Sequence, residues 1–182
     1  MSDNYIIEMN GYILRMAKID DIEKYYLNYT PLDNELIRLT GCKDNFTKNE
    51  IYSFIKNHIN SNNKYLFFII SQDNNIIGES VINDIDFRNK HANFRIAIFK
   101  SKYRNKGVGT WAIKQTCAFA FNNLMLHRLS LEVFSFNLRA KAAYVKCGFK
   151  QEGILREAIK SENGYDDIIL MSILSHEWSN LY

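Results

Sequence analysis

Between Arg104 and Thr110 the chain reads Arg-Asn-Lys-Gly-Val-Gly-Thr, a basic turn with two glycines in three residues, set against a stretch that reads as a helix. Glycines at a helix start cost backbone entropy that an ordinary cap does not require. The spacing therefore implies that something approaches the backbone closely. Three readings compete. An ordinary surface turn leaves the glycines unexplained. A dinucleotide fingerprint is formally matched by Gly107-x-Gly109-x-x-Ala112 with Glu132 further on, and would make the chain a dinucleotide-dependent oxidoreductase. Its context is wrong, because KSKYRNK separates Phe99 from Gly107 and Glu132 falls in mid-strand. A Walker loop also fails, for lack of a lysine followed by serine or threonine after the second glycine. The third reading is a pyrophosphate cradle: free amides at a helix start, flanked by Arg104 and Lys106.

The elements that must position this turn are legible as periodicity. Residues 12–17 read as a strand, 19–29 as a helix, and 47–59 as a second helix opened by the capping box Thr47-x-x-Glu50. Three strands follow at 64–71, 75–84 and 91–99, separated by turns short enough for hairpins. In the third of them Ala92, Phe94, Ile96 and Ile98 share one face, and Asn93, Arg95, Ala97 and Phe99 the other. After the glycine turn Ile113, Cys117, Ala120, Phe121 and Leu124 form a helical stripe. Residues 127–136 alternate as a strand, and 137–148 read as a helix with Asn137 as N-cap and Gly148 past its end. Strands near 149–157 and 166–175 close the chain. The expectation is an α/β (α+β) fold: a mixed, mostly antiparallel sheet of about seven strands flanked by about four helices.

Composition bounds the function. With 182 residues, 47% of them hydrophobic, 14% aromatic, and a single proline, the chain is expected to fold as one domain over 11–178 after an N-terminal segment, 1–10. A net charge of +3 is too small to argue for nucleic acid. Cys42, Cys117 and Cys147 are odd in number and lack a C-x-x-C pair, which suggests neither a disulfide framework nor a zinc site. His58, His91, His127 and His176 are scattered without metal-ligand spacing, so no metal is implied. No apolar run reaches the ~18 residues of a membrane span, and the start lacks an export signal. A cytoplasmic protein, monomer or homo-oligomer, is expected, without membrane or nucleic-acid partners.

Two motifs at fixed separation make the cradle specific. Arg104-x-x-Gly107-x-Gly109 resembles the acyl-CoA motif of the GNAT superfamily of N-acetyltransferases, and NLRAKAAYVKCGFKQEGILREAI, from Asn137, is similar to its Asn…Tyr…Gly-Phe signature. ANFRIAI and YDDIILMSILSHEW most resemble the group that contains ribosomal-protein alanine acetyltransferases and spermidine acetyltransferases. The resemblance implies acetyl-CoA as acetyl donor, lying where the sheet splays between the strands at 91–99 and 127–136. Its pantetheine would pair with the backbone near Ile96, Ala97 and Ile98. Its phosphates would meet Arg104, Asn105, Lys106, Gly107, Val108, Gly109 and Thr110, with Asn137, Ala140 and Tyr144 completing the donor site. The amide of Ala97 or Ile98 would hold an oxyanion, and the Tyr144 hydroxyl would meet the departing thiolate.

The general base is where the chain departs from this family's pattern. Many members carry glutamate at the position of Asn93, and an amide takes no proton from an ammonium. Glu79 is then the carboxylate candidate, acting directly or through a water held by Asn93 or Ser80; its alternative is a solvated strand glutamate. Asp33, Glu35, Asp84 and Asp86 lie in or beside loops that would border the acceptor and could attract a cation. The expected reaction is direct attack of a primary amine, without an acyl-enzyme. A peptide or protein N-terminal α-amine is expected first and a polyamine second. A non-catalytic acyl-CoA-binding or sensing domain is the alternative.

Overall fold

The computed structural model describes residues 5–161 and 164–181. Asn10 and Gly11 take φ of 49° and 79°, the left-handed backbone of a tight hairpin. They join β1 (Ile6–Met9) to β2 (Tyr12–Met16), which pair antiparallel. The sequence reading places residues 1–10 ahead of the domain. The structure instead builds Ile6–Met9 into the sheet, while residues 1–4 lie outside the described residues.

Three helices follow: α1 (Ile22–Tyr29), α2 (Asn34–Thr40) and α3 (Lys48–Ile59). The capping box forms as expected, the Thr47 hydroxyl accepting from the Glu50 amide and the Glu50 carboxylate from the Thr47 amide. The short α2 goes beyond the sequence reading. The Asp33 carboxylate caps it by accepting from the Leu36 amide at 3.1 Å, and Gly41 ends it at φ 66°. β3 (Tyr65–Ile70), β4 (Ile76–Asp86) and β5 (His91–Ile98) form an antiparallel meander. Then come α4 (Val108–Ala118), β6 (Arg128–Phe134), α5 (Leu138–Lys146), β7 (Lys150–Ser161), β8 (Gly164–Leu174) and α6 (Ser175–Ser179). Among the described residues, eight strands and six helices replace the expected seven and four, because β1, α2 and α6 are too short to show a period.

The sheet runs β1-β2-β3-β4-β5-β6-β8-β7. Its strands alternate between two cores. Phe67, Ile69, Ile82, Ala92 and Phe94 pack with α4 and with Tyr144 and Phe149 on one face. Leu66, Phe68, Ile70, Val81 and Phe99 pack with Tyr25, Leu36, Ile51 and Ile55 from α1–α3 on the other. The buried apolar side chains on both faces are the main stabilising term. Among the described residues no helix is long and apolar enough to cross a membrane.

One seam is incomplete. β5 and β6 run parallel but pair only from His91–Asn93 to Arg128–Ser130. Beyond Ser130, β6 continues to Phe134 paired with β8 alone. The sheet therefore splits, and the backbone of β5 from Phe94 onward faces a gap.

Candidate active site

The split opens into a cavity of about 550 Å³ that is lined from both faces of the sheet. From the α4–α5 side come Gly107, Gly109, Thr110, Ile113, Ala140 and Tyr144; from the α1–α3 side come Leu36, Leu39, Thr40, Glu79 and Arg95. Ile96, Ala97 and Ile98 form the β5 wall, and Glu132, Val133 and Phe134 the β6 wall. A ligand here would thread the sheet.

At the α4 end, Gly107 sits at φ 80° as the N-cap. The first intrahelical bond runs from the Trp111 amide to the Gly107 carbonyl at 3.0 Å, so the amides of Val108, Gly109 and Thr110 have no intrahelical acceptor. A Cβ at Gly107 would meet nothing within 4 Å, and one at Gly109 only the Ile98 Cγ1 at 3.9 Å. The glycines are thus not required by packing within the chain. They leave space over a row of free amides, which is what close approach of a phosphate needs. Asn105 lines the cavity too, whereas Lys106 is exposed outside the lining and Val108 turns into the core.

Arg104 departs from its expected role. It is 8% exposed, and its guanidinium donates to the carbonyls of Ile98 and Phe99 at 3.1–3.3 Å. It also pairs with Asp33 at 3.1 Å and with Glu35. Its amide donates to the Ser101 carbonyl. Although it borders the cavity, its donors are committed to fastening the glycine turn to the end of β5 and to α2. Asp33 and Glu35, read from sequence as possible cation attractors, neutralise Arg104 instead; Glu35 also pairs with Arg139 of α5 at 3.0 Å. Arg104→Met is expected to lower stability by about 2 kcal/mol, chiefly the cost of leaving Asp33 and the carbonyls of Ile98 and Phe99 without their donor, read from urea denaturation. An unchanged midpoint would rule out the clamp.

Tyr144 lies on α5 with its ring edge-on to Phe94 and packed on Phe149, centroids 6.3 and 5.7 Å away. Packing and presentation coexist. Its hydroxyl makes no hydrogen bond, and no buried side-chain polar atom among the described residues lacks a partner, so that hydroxyl faces the cavity. Burial pushes its pKa well above the usual tyrosine value; it stays a donor at neutral pH. Asn137 caps α5 by accepting from the Ala140 amide at 3.2 Å, and donates to the Leu39 carbonyl of α2 at 3.4 Å. It lines the cavity while tying α5 to α2.

On the other face, Glu79 is 4% exposed, so the solvated-glutamate alternative does not hold. It sits opposite Ala97 on β4 and accepts from the Tyr25 hydroxyl at 2.8 Å, with Arg95 Nη2 at 3.4 Å. Burial, then the Glu79 charge, hold the Tyr25 phenol protonated. This is a carboxylate held in one place on the cavity wall.

The chain is similar to known proteins. A family model described as an acetyltransferase (GNAT) domain matches residues 12–150. The chain belongs to the GNAT acetyltransferase family. Spermidine N(1)-acetyltransferase of Vibrio cholerae is 29% identical over 131 residues, 72% of this chain and 75% of that one. The structure of the Vibrio cholerae spermidine N-acetyltransferase in complex with CoA and spermine superposes with a TM-score of 0.83 at 24% identity, covering 94% of this chain and 100% of the other. Ribosomal-protein-S5-alanine acetyltransferase from Vibrio fischeri gives 0.85 at 20% identity, covering 96% and 99%. These two structures share the fold.

As a GNAT acetyltransferase, the protein is an N-acetyltransferase that uses acetyl-CoA. The residues present fit that donor, because a cradle that a Cβ would fill lies open at Gly107 and Gly109. Gly109→Val is expected to weaken acetyl-CoA binding by about tenfold or more, since its side chain would stand in the space over the amides, where a Cβ meets only Ile98 Cγ1, at 3.9 Å. Calorimetric titration checks it; unchanged affinity would remove the cradle.

The structure does not bring every expected residue together. Asn93 lies opposite Asn83, two alternate pairs from Glu79 and Ala97, about 13 Å along the strand. Its Oδ1 accepts from the Phe94 amide, and it does not line the cavity. Ser80 points to the opposite face from Glu79, where its hydroxyl bonds Thr116 at 2.7 Å. Neither can place a water on Glu79. Asp84 and Asp86 are also outside the lining, Asp86 closing its own turn by accepting from Arg88 and Asn89. Burial pushes the Cys147 thiol up to about 11 and Cys117 well above its ordinary range, so both are protonated, poor nucleophiles at neutral pH. Tyr25 and Arg95 escaped the sequence reading, since their link to Glu79 spans 54 and 16 residues and exists only once the sheet is formed.

Proposed function

We propose that the enzyme acetylates a primary amine by direct attack on the donor thioester, with Glu79 taking the amine's proton and the Tyr144 hydroxyl hydrogen-bonding the departing thiolate. The observation that carries this reading is the cavity through the sheet, with the Tyr144 hydroxyl on the donor face and the Glu79 carboxylate on the other. The phosphates of acetyl-CoA rest on Val108, Gly109 and Thr110. Pantetheine follows the β5 wall past Ile96–Ile98, and the Ala97 or Ile98 amide meets the charge developing on the carbonyl oxygen.

For the acceptor, the α-amine of a peptide or protein N-terminus comes first. Such an amine, with pKa near 8, is about a tenth neutral at pH 7, whereas an alkyl amine near 10.4 must first lose its proton at a cost of about 4–5 kcal/mol. Among the described residues the cavity lining carries no acidic tract for a polycation: its acids are Glu79, which already has Arg95 beside it, and Glu132. A polyamine is the second reading, favoured by the spermidine acetyltransferase relative. Specificity constants for an alanine-initiated peptide and for spermidine, measured by release of free CoA thiol, test the order. A spermidine value tenfold higher reverses it, and release from neither would overturn the reading itself.

A further inference from the structure

Arg95 is not explained by the chemistry above. It stands on β5 on the Glu79 face and lines the cavity. Its side chain is 48% exposed, while that of Glu79 is 6% exposed. The 3.4 Å approach to Glu79 is an ion pair without hydrogen-bond alignment, and among the described residues no hydrogen bond engages the guanidinium. The ring of Phe54 from α3 lies 5.3 Å beneath it, a stacking that holds a guanidinium plane in place while leaving its donors free. The result is a planar fork of donors held beside the candidate base and turned toward the cavity.

The charges there do not balance once an amine arrives. Glu79 can offset one cation, yet an ammonium entering next to it would be the second, after Arg95. Glu132, across the split on β6, is the other acid in the lining, but it is exposed and screened by water. Arg104 is already neutralised by Asp33 and Glu35, and Arg139 by Glu35. An acceptor that brings its own negative group restores the balance and fills the fork, since guanidinium binds carboxylate in a two-pronged fashion.

We infer that Arg95 is a specificity-determining residue that reads a carboxylate close to the acceptor amine, so that the preferred acceptors are amino-terminal groups with an acid on the same residue. The inference rests on the proposed use of Glu79 and this cavity for the acceptor. Two sources share that chemistry, an acidic side chain on the first residue of a peptide and the α-carboxylate of a free amino acid.

The test compares isosteric pairs with the intact enzyme, every constant referred to the concentration of neutral amine: a hexapeptide beginning with aspartate against the same peptide beginning with asparagine, and free alanine against alaninamide. At least one acidic member is expected to exceed its neutral partner about tenfold in kcat/KM, the scale of one charge-assisted contact. The pair that shows the preference names the source. In Arg95→Gln the ratio is expected to fall to within about twofold of one. Arg95→Lys keeps the charge without the fork, and is expected to retain only part of the ratio. Equal constants for both pairs in the wild type overturn the inference, as does a ratio that survives unchanged in Arg95→Gln or, should that variant not fold, in Arg95→Lys. Absence of thiol release with every amine, spermidine included, would instead remove the underlying reading of the cavity.

Discussion

Replacing Tyr144 by phenylalanine is expected to lower kcat about a hundredfold, while KM for acetyl-CoA moves by less than about threefold. The split between the two constants follows from where the hydroxyl points. Packing against Phe94 and Phe149 is made by the ring, which phenylalanine retains, so stability and donor binding change little. Only the free hydroxyl is lost, and in the proposed mechanism it acts on charge that appears at sulfur as the thioester breaks, an interaction confined to the transition state. Full proton transfer is not the role expected. An unperturbed phenol at ~10 would give its proton to a thiolate at ~8.5 uphill by about 2 kcal/mol, and burial raises Tyr144 further. Hydrogen-bond donation is what remains. A kcat within about twofold of wild type, with chemistry rate-limiting, leaves Tyr144 as a packing residue.

Glu79→Gln should be comparably damaging, with a dependence on acceptor that separates chemistry from structure. Glutamine has nearly the same shape and still accepts a hydrogen bond from Tyr25, but it takes no proton. An alkyl amine, almost entirely protonated at pH 7, is expected to lose about a hundredfold in kcat. An α-amine, about a tenth neutral, should lose nearer tenfold. Raising the pH should restore activity for both as solvent removes the proton beforehand. Equal activity of variant and wild type at pH 7 with both acceptors would exclude Glu79 as the base.

How much of this was legible from residues alone depended on range. The Thr47–Glu50 capping box and the Asn137 cap are local hydrogen-bond patterns spanning three residues, and both formed. The glycine turn was legible because two glycines at a helix start have few other uses. Asn10-Gly11 and the pair Asp33 and Gly41 were equally local signals for β1 and α2, but the elements they bound are four and seven residues long and show no period. The burial of Glu79 was not legible for a different reason. From Ile76 to Ile82 every residue of β4 is buried, covered by one core on each face, so alternation could not separate an inward carboxylate from an outward one. The partners of Arg104 were not legible because a basic residue beside a phosphate cradle is the expected pattern, while the acids that pair with it lie 69 and 71 residues earlier.

The split in the sheet also divides what can change from what cannot change alone. In the proposed mechanism donor recognition lies with α4 and α5 on one face, and the acceptor wall with α2 and the Glu79 side of β4 and β5 on the other. Substitutions at Leu36, Leu39 or Thr40 can reshape the acceptor mouth without touching an amide of the glycine turn, so substrate range is free to drift while the donor stays constant. The exception is the strip where Glu35 joins Arg104 to Arg139. There a change made to suit a new acceptor would also loosen the donor turn, and the two halves of the enzyme would have to be altered together.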